Sequence, residues 1–199
     1  MFRFLMQLPF FVFNLTQPDT LNTWISPIDQ NEHNNISQNL TSTRLWVWDF
    51  DCTITNINTC IPHGWSSVKS RDLIADPDYF KSTILEGIQS GRRVAIASFA
   101  RKETILAAMD DLFGYHNPFN SNNVLTPKDV GASECRGLSD GKNSLLALLE
   151  QRYQIPRSEI LLLDDTYSNV KMAREAGYQS LQIPSLGCHG YHRNLDLTN

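Results

Sequence analysis

"WVWDFDCTIT", residues 46–55, runs from an aromatic and β-branched stretch directly into two carboxylates, Asp49 and Asp51, one residue apart. The hydroxyl of Thr53 follows closely. The apolar residues before the acids read as a buried strand. A single aspartate after a strand ordinarily caps the next helix or turn. A pair at the mouth of the strand asks for a further explanation.

Working outward, the strand reading extends to "RLWVWDF" (44–50), and four more apolar runs follow it. They are "RRVAIAS" (92–98), "NNVLT" (122–126), "EILLLDD" (159–165) and "QSLQI" (179–183). The second and fourth runs are almost continuously apolar, as strands covered on both faces of a parallel sheet are. Helical stripes lie between the runs. Phe80, Ile84, Leu85 and Ile88 form one, after an Asp76-Pro77 start signal. Ile105, Leu106, Met109, Leu112 and Phe113 form the next, ending at Gly114. Leu145, Leu146, Leu148 and Leu149 form the third, and Val170, Ala173 and Ala176, stopped by Gly177, the fourth. Strand and helix therefore alternate. That order predicts an α/β fold: a doubly wound, mostly parallel, five-stranded Rossmann-like sheet with helices on both faces and its ligand crevice at the carboxyl ends of the strands.

Two runs end in paired acids at that edge, Asp49 with Asp51 and Asp164 with Asp165, and "VAIA" ends in the hydroxyl of Ser98. Clustered carboxylates repel and raise one another's pKa unless a cation compensates. A hard divalent cation suits an all-oxygen donor set, and Mg²⁺ in particular keeps waters and binds substrate phosphate.

"DFDCT" resembles the DxDx(T/V) signature of the haloacid dehalogenase superfamily, mostly Mg²⁺-dependent phosphohydrolases. Ser98 is similar to the family's second motif, and "LLLDDTYSNVKMAREAGYQSLQI" to its fourth, in the DDxxxN form with Asn169. Lys142 stands about one helix before the fourth motif, where the third-motif lysine is expected; Lys102 and Lys128 compete for that role. The resemblance covers roughly residues 44 to 184. It implies Asp49 as nucleophile and Asp51 as general acid/base. It also implies a Mg²⁺ site from Asp49, the Asp51 backbone carbonyl, Asp164 and Asp165. Thr53, Ser98 and Lys142 are the expected phosphate-binding residues. Cys52 takes a variable motif position, often glycine in the family, and reads as a small buried residue. An acid at position 51 argues for phosphate chemistry over dehalogenation, because halide departs without a proton.

About 44 residues separate Thr53 from Ser98 and about 43 separate Ser98 from Lys142. A helix, a strand and a loop consume most of each interval, leaving space for a small flap and no large cap domain. The loop at 56–73 would overhang the cleft, with His63, Trp65, Lys69 and Arg71 as substrate-contact candidates; a solvated loop with Trp65 in the core is the competing reading. An open cleft favours a phosphorylated protein, on tyrosine or on serine or threonine, as substrate. A small phosphometabolite is the enzymatic alternative, and a catalytically retired binding module the non-enzymatic one. A response-regulator-like phosphoacceptor fits the DxDxT spacing poorly.

The 199 residues are read as an irregular arm (1–43), a phosphatase-like domain (44–184) and a tail (185–199), with no internal repeat and the natural chain open to continuing past 199. With 41% hydrophobic residues the chain can bury a substantial core. A net charge of −4 gives no electrostatic ground for a nucleic-acid partner. The opening "MFRFLMQLPFFVFNL" resembles a signal peptide but is interrupted by Gln7 and Pro9, and it is too short to span a bilayer. The sequons at Asn14, Asn35 and Asn39 lie in an asparagine-rich stretch where they arise by chance. Cys52, Cys60, Cys135 and Cys188 lack zinc-type spacing and neither indicate nor exclude disulfides. Free thiols in a reducing compartment are the simpler reading, which favours a cytoplasmic location without excluding secretion. Cys188, His189 and His192 in the tail make a weak case for a metal.

Overall fold

The alternation of apolar runs and helical stripes closes into one parallel sheet. The computed structural model describes residues 42–60 and 73–183. The arm before residue 42, the flap candidates His63, Trp65, Lys69 and Arg71, and the tail with Cys188, His189 and His192 lie outside the described residues.

Among the described residues five strands form, β1 (Leu45–Trp48), β2 (Arg93–Ala97), β3 (Val124–Leu125), β4 (Ile160–Asp164) and β5 (Gln179–Gln182). Each lies inside one of the expected runs. All neighbours pair in parallel, in the order β3-β2-β1-β4-β5. Four helices, α1 (Pro77–Gln89), α2 (Lys102–Phe113), α3 (Asn143–Tyr153) and α4 (Tyr167–Glu175), complete the crossovers. Strands β2 and β3 step to one side of β1, and β4 and β5 to the other. The strand order thus reverses between β1 and β4, where the crevice of an open α/β sheet lies.

Period-two alternation divides the core. Trp46 and Trp48 face one layer, with Phe80 and Ile84 of α1 and Ile105 and Met109 of α2. Leu45 and Val47 face the other, with Leu145, Leu146 and Leu149 of α3 and Ala173 of α4. Helices α2, α3 and α4 bury the expected stripes, with Leu106, Leu148 and Ala176 at their margins. Helix α1 begins as expected: Asp76 caps it by accepting from the Tyr79 N–H, and a proline occupies its first turn.

The buried face of α1 differs from its hydrophobic stripe. Leu85 and Ile88 are exposed, and Phe80, Thr83, Ile84 and Gly87 are buried. The reason is Trp46. A Cβ on Gly87 would lie 3.0 Å from the indole ring, so the bare backbone of the helix rests on that ring and turns the two aliphatic residues outward.

A short antiparallel stem, named the flap stem after the expected flap at 56–73, follows the acid motif directly. After β1 the chain turns tightly, with the Ile54 and Thr55 N–H groups both donating to Phe50 O at 3.0 Å. It then pairs antiparallel with its own return through Thr55 and Ile74. The Asn56 N–H donates to Leu73 O and the Ala75 N–H to Ile54 O, which hold the two sides of the stem together.

Candidate active site

The sheet brings the two acid pairs to one edge. The Asp49 N–H donates to Leu163 O at 2.8 Å, which extends the β1–β4 ladder by one residue and sets Asp49 beside the end of β4. Oxygens of Asp49, Asp164 and Asp165 lie within 4.8 Å of one another. Asp49 and Asp164 are buried, Asp164 completely.

Lys142 enters from the start of α3. The preceding Gly141 has φ +61°, a left-handed conformation that favours glycine, and a Cβ there would meet Asn169 Oδ1 at 3.1 Å. The lysine is itself buried, 1% exposed, and its ammonium donates to Asp49 Oδ1 at 2.6 Å and to Ala97 O at 2.9 Å. It lies 4.0 Å from Asp164 Oδ2 and 4.0 Å from the centre of the Phe99 ring, which adds a cation–π contact. The competing lysines are engaged elsewhere. Lys102 pairs with Asp129 at 2.6 Å, and Lys128 lies 3.9 Å from Glu103.

One lysine does not balance four carboxylates. Burial, reinforced by the Asp49 charge and opposed by Lys142, pushes Asp164 up to about 7. The Thr166 N–H, at 2.8 Å, and the Asn169 amide, at 3.2 and 3.0 Å, orient it for its role at the edge. Burial also pushes Asp51 up to about 6, against two hydrogen bonds from Thr59. Protons or a cation must relieve this cluster. The donor set is entirely hard oxygen, as Mg²⁺ prefers.

Asp51 stands apart from the cluster of Asp49, Asp164 and Asp165. Its Oδ1 accepts from the Thr59 N–H at 3.0 Å and the Thr59 hydroxyl at 2.7 Å. Thr53 lies between the two acid loops. Its hydroxyl accepts from the Asp165 N–H at 3.0 Å and lies 3.4 Å from Asp165 Oδ1, so it ties the first acid loop to the second. The turn after β1 directs it there, and the side chain is buried. Ser98 follows β2 at the same sheet edge, buried, its oxygen accepting from the Ala100 N–H at 3.3 Å. His63, Trp65 and Arg71 lie outside the described residues.

The free-thiol reading is overturned. Cys60 and Cys135, 75 residues apart, form a disulfide with Cα atoms 5.4 Å apart, and Cys52 is also disulfide-bonded. Cys52 is buried, as expected, at φ +63°, which explains why glycine suits this position. No CxxC pattern announces these pairings; the tertiary fold brings distant cysteines within bonding range.

The fold is similar to those of solved structures. A 3-deoxy-D-manno-octulosonate 8-phosphate phosphatase from Moraxella catarrhalis, solved with magnesium, phosphate and KDO, aligns over 78% of each chain with a TM-score of 0.50 and 19% identity. A HAD family enzyme from Bacteroides thetaiotaomicron aligns over 76% of this chain and 98% of its own, with a TM-score of 0.51 and 12% identity.

The chain has the haloacid dehalogenase fold.

DsGPDH of Dunaliella salina shares that fold over 74% of this chain, with a TM-score of 0.56 and 14% identity; the match spans only 24% of the larger protein. No protein-family model matches the sequence, and no curated protein is similar enough in sequence to match. Within the haloacid dehalogenase fold, the residues that the motifs singled out, Asp49, Asp51, Ser98, Lys142, Asp164 and Asp165, all fall at the carboxyl edge of the sheet or on the loops that leave it. Thr59 was not legible in the sequence, because "NINTC" reads as an undifferentiated loop.

Proposed function

We propose that this chain is a Mg²⁺-dependent phosphomonoester hydrolase that works through an aspartyl-phosphate on Asp49. The observation that carries this reading is the convergence of Asp49, Asp164 and Asp165 at one edge, with the buried Lys142 ammonium 2.6 Å from Asp49. Asp49, Asp164 and Asp165, with the Asp51 carbonyl, would hold Mg²⁺, which supplies charge neutralisation between carboxylate and phosphate.

Asp49 attacks phosphorus and the ester P–O bond breaks, with Asp51 giving a proton to the departing oxygen. Asp51 then takes a proton from the water that cleaves the aspartyl-phosphate, and phosphate leaves. Lys142 offsets the charge of Asp49 as the second anion approaches. Ser98 donates to the phosphate, and Thr53 holds the Asp165 loop in register.

For the substrate we favour a phosphate displayed on a protein, at tyrosine or at serine or threonine. Its support is that Ser98 and Lys142 are joined by α2, a two-residue strand and short turns, which leave that side of the cleft without an added domain. A small phosphometabolite is the enzymatic alternative; the Moraxella catarrhalis neighbour is named for one such substrate. The retired binding module is disfavoured, since the expected acids and the lysine are all present and gathered. No helix among the described residues is long and apolar enough to cross a membrane. The disulfides favour an oxidising compartment over the cytoplasm.

Hydrolysis of an aryl phosphate with and without Mg²⁺, beside Asp49→Asn, tests the reading. Mg²⁺-dependent turnover that disappears in Asp49→Asn supports it, and phosphopeptides compared with sugar phosphates then decide the substrate class. Turnover unaffected by the substitution would show that Asp49 is not the nucleophile.

A further inference from the structure

We propose that Thr59 is the positioning residue for Asp51 and that the Cys60–Cys135 disulfide holds it in place, so that cleavage of esters with poor leaving groups depends on this cystine. The proposal rests on the phosphatase reading and adds a regulatory residue set to it.

Thr59 supplies two donors to one oxygen. Its N–H and hydroxyl both reach Asp51 Oδ1, at 3.0 and 2.7 Å. That pair fixes the rotation of the carboxyl group and leaves the other oxygen to carry a transferable proton. A general acid works only within hydrogen-bond reach of the leaving oxygen, so its orientation matters as much as its presence.

The adjoining residue is the covalent tie. Thr59 and Cys60 belong to the segment leaving the flap stem, where the Cys60 N–H makes a local bond to Asn58 Oδ1. The disulfide joins Cys60 to a firm anchor. The Cys135 N–H donates to Phe99 O at 2.7 Å. The neighbouring Glu134 carboxylate accepts from the Lys102 N–H at 3.0 Å and the Thr126 hydroxyl at 2.9 Å. Cys135 is thereby held by the loops that follow β2 and β3, and Phe99 carries the ring beneath the Lys142 ammonium. The strap therefore runs from the acid/base side of the cleft to the Ser98–Phe99 side. A dithiol would break it with balanced chemistry: two electrons and two protons pass to the cystine, giving two thiols, and the dithiol closes to a cyclic disulfide.

The test uses the oxidised full chain with saturating Mg²⁺ and compares kcat/KM for 4-nitrophenyl phosphate and glycerol 2-phosphate. Nitrophenolate leaves without a proton, whereas an alkoxide needs one. Thr59→Val, and separately Cys60→Ser combined with Cys135→Ser, should lower kcat/KM for the alkyl ester about tenfold or more, and for the aryl ester less than about threefold. Thr59→Ser, which keeps both donors, should restore both values. Dithiothreitol should lower the alkyl-to-aryl ratio of the native chain and leave that of the double serine variant unchanged. The Thr59 variants keep the disulfide and decide the positioning role, and dithiothreitol on the native chain decides the role of the cystine, even if the double variant folds poorly.

Equal losses on both esters, or none, would overturn the proposal and leave the phosphatase reading standing. A dithiol effect of the same size in the double variant would assign the sensitivity to the Cys52 disulfide and overturn it likewise. Absence of turnover by the native chain on both esters would overturn the phosphatase reading, and this proposal with it.

Discussion

Lys142 is a buried cation between two buried carboxylates, and removing it leaves both without their partner. Lys142→Met should cost about 3–5 kcal/mol in urea unfolding of the metal-free protein, the usual loss on breaking a buried pair. Lys142→Arg should restore little, because a planar fork does not fit a cradle shaped for a compact ammonium. The acids make a second prediction. Asp51 and Asp164 have pKa values of about 6 and about 7 against an ordinary 3.8, so the folded chain binds protons more readily than the unfolded chain across that interval. Their contribution to stability is present at low pH and lost as pH rises through 6 and 7. Metal-free protein should therefore melt several degrees higher at pH 5 than at pH 8. Mg²⁺ needs the deprotonated carboxylates and should raise the melting temperature more at pH 8 than at pH 5. A metal-free melting temperature that falls from pH 8 to pH 5 would contradict this balance.

At the scale of the element, α1 shows how one neighbour redirects an amphipathic helix. Its apolar spacing points to Leu85 and Ile88, yet the indole of Trp46 fills the space a side chain at position 87 would need. Gly87→Leu should destabilise the fold by about 1–3 kcal/mol through overpacking, measured as a shift in the denaturant midpoint. Leu85→Ala, on the exposed face, should change stability by less than about 0.5 kcal/mol. The start of α3 carries the counterpart at the proposed site. Gly141 turns the chain into the helix at positive φ and lies against Asn169, which itself holds both oxygens of Asp164. Gly141→Val should weaken Mg²⁺ binding as well as stability, because it strains the turn that places Lys142 and presses on the amide that orients Asp164, a proposed metal ligand. Calorimetric titration with Mg²⁺ would detect that loss.

At the scale of the molecule, the Cys60–Cys135 disulfide closes a loop that begins beside the first acid motif and encloses α1, β2, α2 and β3. Constraining so long a segment in the unfolded chain is worth about 2–4 kcal/mol. Cys60→Ser with Cys135→Ser should lower unfolding stability by that amount, apart from any effect on catalysis. The strand order adds the other global feature. With β1 central and the chain stepping first to one side and then to the other, the ends of β1 and β4 become neighbours although more than a hundred residues separate them. The acids meet because of that reversal.

The amino-acid sequence determined the strands, three of the four helix faces, the acid motifs and the residues gathered at the carboxyl edge. Apolar periodicity and acids at strand ends are local signals, written within a few residues of the position they specify. The tertiary structure decided the rest. It set the buried face of α1, turned the Thr53 hydroxyl to Asp165, placed Thr59 on Asp51 and joined Cys60 to Cys135. Each of these is a contact between segments distant in sequence or across an irregular loop. Such contacts have no period, and they form only after the sheet has placed its loops side by side.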